Sequence, residues 1–148
     1  MLIEYYSKRY KNDLEKLKNE LNLYRHENHL WFRNEHIPNS AGTLCLHLIG
    51  NLNHFIGHVL GKTDYQRNRD QEFVLMDISR HDLFQKINET QEIIERSFNM
   101  ITNESLTDAY PLLKFEENES IEFMLVHTLS HLNYHLGQIN YHRRIFDQ

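Results

Sequence analysis

The sequence predicts an all-α protein, a four-helix bundle, and two observations carry that expectation. Four segments place apolar side chains at spacings of three and four, the pattern of helices with one buried stripe. None of them shows the strict alternation of a strand, and four amphipathic helices in 148 residues is the content of a bundle. A chain of this length favours a single domain, residues 1–148, with room for one sizeable core.

The first helix is expected over residues 2–24, where Tyr6, Tyr10, Leu14, Leu17, Leu21 and Tyr24 recur with Lys and Glu between them. A short aromatic connection, Leu30-Trp31-Phe32, leads to Pro38, which stops what precedes it, and Asn39 or Ser40 can cap the next helix. The second helix then covers residues 42–60 and ends at Gly61. Residues 62–77 lack periodicity and read as an ordered loop. Ser79 caps the third helix, residues 81–101, with Leu83, Ile87, Ile94, Phe98 and Ile101 facing inward. Residues 103–118, containing Pro111, form another connection. The fourth helix starts near Ser120 and carries Ile121, Leu125, Leu129, Leu132, Leu136 and Ile139 on its core face.

Charge and composition narrow the function. Net charge is −5 with a pI near 6.1, and no Lys/Arg cluster dominates any stretch, which argues against nucleic acid as the main ligand. No run approaches the ~18 apolar residues of a membrane span, and the N-terminus has no apolar core of a signal peptide. A single cysteine, Cys45, excludes an internal disulfide framework and fits a reducing compartment. A cytoplasmic protein acting on a small molecule is the expectation. Cys45 falls on an apolar stripe and reads as a small core residue rather than a nucleophile.

Histidine is the unusual component: eleven are present, and most of those in the helices fall into two stripes. At ~100° per residue, the last helix carries His127, His131, His135, Gln138 and His142 beside its leucine stripe. The second helix repeats the design, with His47, Asn51, His54 and His58 beside Leu44, Leu48, Leu52, Phe55 and Val59. Imidazoles at i and i+4 share a helix face and can converge on one metal ion. Three such pairs occur, His54/His58, His127/His131 and His131/His135, and spacing alone leaves the choice among them open. The triplet as a whole cannot serve one ion, because His127 and His135 are about 12 Å apart at ~1.5 Å rise per residue. A third ligand must therefore come from elsewhere.

What is missing is also informative. There is no Glu-x-x-His, so the helical di-iron carboxylate motif is absent, and no carboxylate falls on either histidine stripe. An all-imidazole set suits zinc or nickel better than magnesium, calcium or manganese.

At His131-Leu132-Asn133-Tyr134-His135-Leu136-Gly137-Gln138 the chain resembles the DinB/YfiT-like superfamily, whose last core helix carries a His-x3-His-x-Gly-Gln signature. His47, within Leu44-Cys45-Leu46-His47-Leu48, falls where that superfamily has its first metal histidine. The resemblance implies an up-down-down-up four-helix bundle and a divalent metal held by His47, His131 and His135. It also implies frequent homodimers and, for some members, transfer of a low-molecular-weight thiol onto an electrophile. One departure stands out: an acidic residue often follows the first histidine by one turn, and this chain has Asn51 there.

These readings give a leading expectation, a metal-dependent thiol S-transferase or hydrolase in which the metal activates a thiol or water. In the hydrolytic version His127, His54 or His58 would accept a proton. Arg67 and Arg69 would contact an anionic substrate or thiol cofactor, or else pair with Asp70 and Glu72 to order their loop. Trp31, Phe32 and Tyr134 fit core packing better than a pocket lining. The alternative is a non-catalytic metal-binding or stress-response dimer in which the metal stabilises the bundle. Gly50 and Gly57, each costing ~1 kcal/mol in a helix interior, point to close approach of another helix, from this chain or a partner.

Overall fold

The computed structural model describes residues 1–148 and is all-helical, with five α-helices. α1 spans Leu2–Asn22, α2 Ala41–Leu52, α3 Arg69–Val74, α4 Arg80–Phe98 and α5 Ile121–Phe146. Short 3₁₀ turns lie at Glu27–Trp31 and Glu104–Thr107. The only strand-like pairing is an isolated bridge between Ala109 and Ser120. α1 packs on α4 and α5, and α2 packs on α3, α4 and α5.

Helix starts follow the capping chemistry in the sequence. Ser40, Ser79 and Ser120 accept hydrogen bonds from the backbone N–H of Thr43, Asp82 and Phe123, which satisfies one orphan donor at each N-terminus. The core runs along the predicted stripes: Tyr10, Leu14, Leu17 and Leu21 of α1, Leu48 and Leu52 of α2, Leu83 and Ile87 of α4, and Leu125, Leu132 and Ile139 of α5 are buried. Two buried aromatic side chains place their polar atoms on backbone carbonyls there. Tyr10 Oη donates to Leu125 O at 2.6 Å, and Trp31 Nε1 donates to Ile78 O at 3.2 Å. Trp31 and Cys45 are buried, so both are core residues. The Cys45 thiol is pushed up to about 12 by burial, which removes it as a nucleophile.

Two expectations need correction. Residues 62–77 are not wholly loop, because α3 lies within them; at six residues it is too short to display a helical period. The second helix does not run on as an α-helix to residue 60, since Asn53–His58 widens into a π-helical turn. The helical turns do end at Gly61, although its φ is not positive. The positive φ belongs to Lys62 (57°), and Gly61 is needed because a Cβ would collide with Ser97 Oγ and lie 2.7 Å from Gly57 O. No helix is long and apolar enough to cross a membrane.

A three-histidine candidate metal centre

α2 and α5 face each other, and their histidine stripes meet. His47 of α2 is buried, and His131 and His135, one turn apart on α5, are partly buried. His131 Nε2 lies 3.1 Å from His47 Nε2 and 3.1 Å from His135 Nε2. One ligand atom from each of the three falls within 4.8 Å of the others, so this group could hold a metal ion. Adjacent ligands of a tetrahedral ion with metal–nitrogen bonds of about 2.0–2.1 Å stand about 3.3 Å apart, close to the observed 3.1 Å.

The hydrogen bonds behind the rings explain why their Nε2 atoms are available. Glu72 Oε1, an obligate acceptor, lies 3.0 Å from His47 Nδ1, so that nitrogen carries the proton and Nε2 keeps its lone pair. Gln138 Oε1 does the same for His135 Nδ1 at 2.6 Å. Arg67 Nη2 also approaches His47 Nδ1, at 3.4 Å, but it is already committed to Glu72 Oε1 at 2.9 Å, so the carboxylate contact sets the tautomer. His131 Nδ1 is buried with no partner. With its proton on Nε2, His131 can serve only one of the two facing lone pairs; with it on Nδ1, three lone pairs converge unprotonated. Either tautomer leaves lone pairs opposed at 3.1 Å, and a cation among them removes the conflict. The donor set therefore fits a divalent metal.

Burial favours the neutral form of His131 and His135, as ligation requires. Burial, aided by His135 and His47, drives His131 down to about 3, and burial lowers His135 as well. For Glu72 burial works upward, but hydrogen bonds from His47 and Arg67 and the Arg67 charge outweigh it and hold the carboxyl below its usual range.

Glu72 is the residue that sequence reasoning missed as part of the site. The histidine stripes carry no carboxylate, as read, yet α3 delivers one to His47 from outside the stripes. Asn68 caps α3 by accepting from Gln71 N–H, and Arg67 clamps both Glu72 oxygens at 2.9 Å. Gly50 makes room: a Cβ there would collide with Glu72 Oε2 and lie 2.6 Å from its Cδ. Gly57 likewise faces Ile93 of α4, with Cγ2 2.6 Å from a Cβ built there. Both glycines are thus explained by contacts within this chain.

The remaining candidates lie outside the triad. His127 Nε2 accepts from Lys114 Nζ at 3.2 Å, and its ring packs against Phe115. His54 stands edge-on to Phe55 and stacked on His58, whose Nδ1 donates to Thr63 O at 2.6 Å. Burial lowers both His54 and His127. Arg67 is paired with Glu72, and exposed Arg69 lies over the Phe73 ring, which itself packs on His47. Asn51 is buried with its Oδ1 unpartnered. His142, although on the stripe, is a core histidine: its Nε2 donates to Phe32 O and its Nδ1 accepts from Tyr24 Oη, both at 2.7 Å.

Two clefts flank the triad's neighbours. One of about 310 Å³ includes Gln138, Leu44 and Tyr141, and one of about 440 Å³ includes His54, His58 and Leu112. None of the three clustered histidines lines either cleft.

Among curated proteins none matches the chain. Residues 3–148 match a family described as "Protein of unknown function (DUF1572)", and with nearly the whole chain covered, the protein belongs to that family.

Proposed function

We propose that this is a metal-dependent enzyme of the DinB/YfiT-like type, built as an up-down-down-up bundle. In this reading His47, His131 and His135 hold zinc or nickel, and a low-molecular-weight thiol is transferred to an electrophile or a small substrate is hydrolysed. The observation that carries the reading is the convergence of three Nε2 lone pairs, two of them fixed by acceptors behind the rings. A bound divalent ion supplies Lewis acidity, which favours thiolate over thiol or lowers the pKa of water.

The chain's own residues divide the remaining work. Glu72 holds the His47 ring through Nδ1 and makes it a better donor, and Gln138 orients His135. Arg67 keeps Glu72 ionised and seated. Burial keeps His127 and His54 unprotonated, which suits a proton acceptor, and His127 stands one turn before His131 on α5. Arg69, exposed beside Phe73, is free to contact an anionic substrate.

A panel of low-molecular-weight thiols with a model electrophile tests the transferase version. Conjugate formation that needs added metal and disappears in His131→Ala supports it, and no turnover across the panel contradicts it.

A second reading has one observation in its favour, that neither flanking cleft opens on the three histidines. In that reading the metal is structural and joins α2 to α5. A large rise in melting temperature on metal binding, with no exchangeable ligand on a cobalt-substituted protein, would select it.

A further inference from the structure

Beside the histidine triad stands a cation without a counter-ion. Lys114 lies in the connection before α5, and its Nζ sits 4.2 Å from the Phe55 ring centroid and 5.5 Å from that of Phe115. Nζ donates to His127 Nε2, which leaves two of its three N–H donors without a protein acceptor. No carboxylate pairs with it: the ion pairs of the chain involve other residues, and the neighbouring Glu116, Glu117 and Glu119 form none. Arg67 presents its guanidinium to the same Phe55 ring, 5.8 Å from the centroid. Two cations thus approach one aromatic ring, and only Arg67 is neutralised, by Glu72.

Lys114 is exposed, but the loop that carries it is anchored at both ends. Tyr110 Oη donates to Phe55 O at 2.6 Å, and backbone bonds from Tyr110 N to Glu119 O and from Ile121 N to Asp108 O tie the two ends of the connection together. The loop that carries Lys114 is therefore docked on the π-helical turn that follows α2. His127, which receives the Lys114 hydrogen bond, precedes His131 by one turn, a rise of about 6 Å. The π-helical turn after α2 supplies Phe55, and α5 supplies His127, so the elements that carry the triad also carry the two contacts of Lys114.

We propose that Lys114, over the Phe55 ring and beside His127, is an oxyanion subsite. It would take the carboxylate or phosphate of a small molecule whose reacting group lies at the triad. Two free ammonium donors on an aromatic floor suit one planar or tetrahedral oxyanion, and a bound anion separates Lys114 from the Arg67 charge. The substrate class that follows is an anionic small molecule, carrying its charge a few bonds from the atom that reacts. The placement beside a metal rests on the proposed function, whereas anion binding by Lys114 does not.

The competing role is a structural clasp in which Lys114 pins its loop to Phe55. Calorimetric titration of inorganic phosphate, and separately of acetate, into the metal-free full-length chain separates the two roles. Lys114→Met keeps the aliphatic stem on the ring and removes the charge, while Lys114→Arg keeps both. Saturable binding that weakens tenfold or more in Lys114→Met, stays within a few-fold in Lys114→Arg, and leaves the melting temperature unchanged is expected. The anion that binds more tightly identifies the group. Equal affinity in Lys114→Met and the parent overturns the subsite, as does absence of saturable binding of both anions. So does a drop in melting temperature without a change in binding. Phosphate binding that persists in His131→Ala while metal uptake fails in the parent would keep the subsite and overturn the metal centre.

Discussion

Glu72 Oε1 lies 3.0 Å from His47 Nδ1, and the same carboxylate is gripped on both oxygens by Arg67. An acceptor behind a ligand imidazole fixes its tautomer and raises its basicity. This contact links α3, a helix of six residues, to the histidines of α2 and α5.

Glu72→Gln keeps the size of the side chain and removes its charge. Metal affinity is expected to fall by about 10–100-fold, measured by competition with a chromogenic chelator. An unchanged affinity would mean that Glu72 serves only to pair with Arg67.

Gly50→Ala separates metal affinity from stability. The added Cβ collides with the far end of the Glu72 side chain, so the buried carboxylate must shift against its Arg67 pair, a cost set against the gain in helix propensity. The gain in helix propensity is up to ~1 kcal/mol. Displacing the carboxylate from His47 should nonetheless weaken metal binding several-fold. Thermal melts and chelator competition on one preparation check both halves. A destabilised protein with full metal affinity would contradict the account.

His142 should make stability depend on pH. Burial lowers its pKa, although its bond to Phe32 O opposes the shift, so folding disfavours the imidazolium. Below the unfolded value near 6.5 the unfolded chain binds more protons than the folded one, and stability declines as pH falls further. The contribution is fully present above about 6.5 and lost as pH drops from there toward the lower folded value. The melting temperature of the metal-free protein should therefore fall between roughly pH 7 and 5. The fall should be shallower in His142→Gln; an identical slope in the variant would refute the assignment.

Helical periodicity is local, so one-turn spacing groups His131 with His135 and the two stripes announce facing helices. Spacing groups His54 with His58 and His127 with His131 equally well, however; the set His47, His131 and His135 followed only from the family resemblance. Glu72 was not legible in the sequence as part of the site, because α3 is shorter than two turns and offers no period to detect. The expected pairing of Glu72 with Arg67 gave no sign of its contact with His47; Gly50, a costly residue in a helix interior, was a further trace, whose reason lies 22 residues further along the chain. Periodicity also groups His142 with the triad. Tyr24 and Phe32, from a segment more than 100 residues away, claim both of its ring nitrogens instead. The need for glycine at position 61 is likewise partly distant, since Ser97 of α4 would meet a Cβ there.

The central claim is that His47, His131 and His135 hold one divalent ion. Its most direct test is the metal content of the untagged protein by mass spectrometry, before and after incubation with zinc or nickel, beside His131→Ala. The account predicts close to one ion per chain in the parent and essentially none in a variant that remains folded. A parent that purifies without metal and takes up none at micromolar zinc or nickel would contradict it.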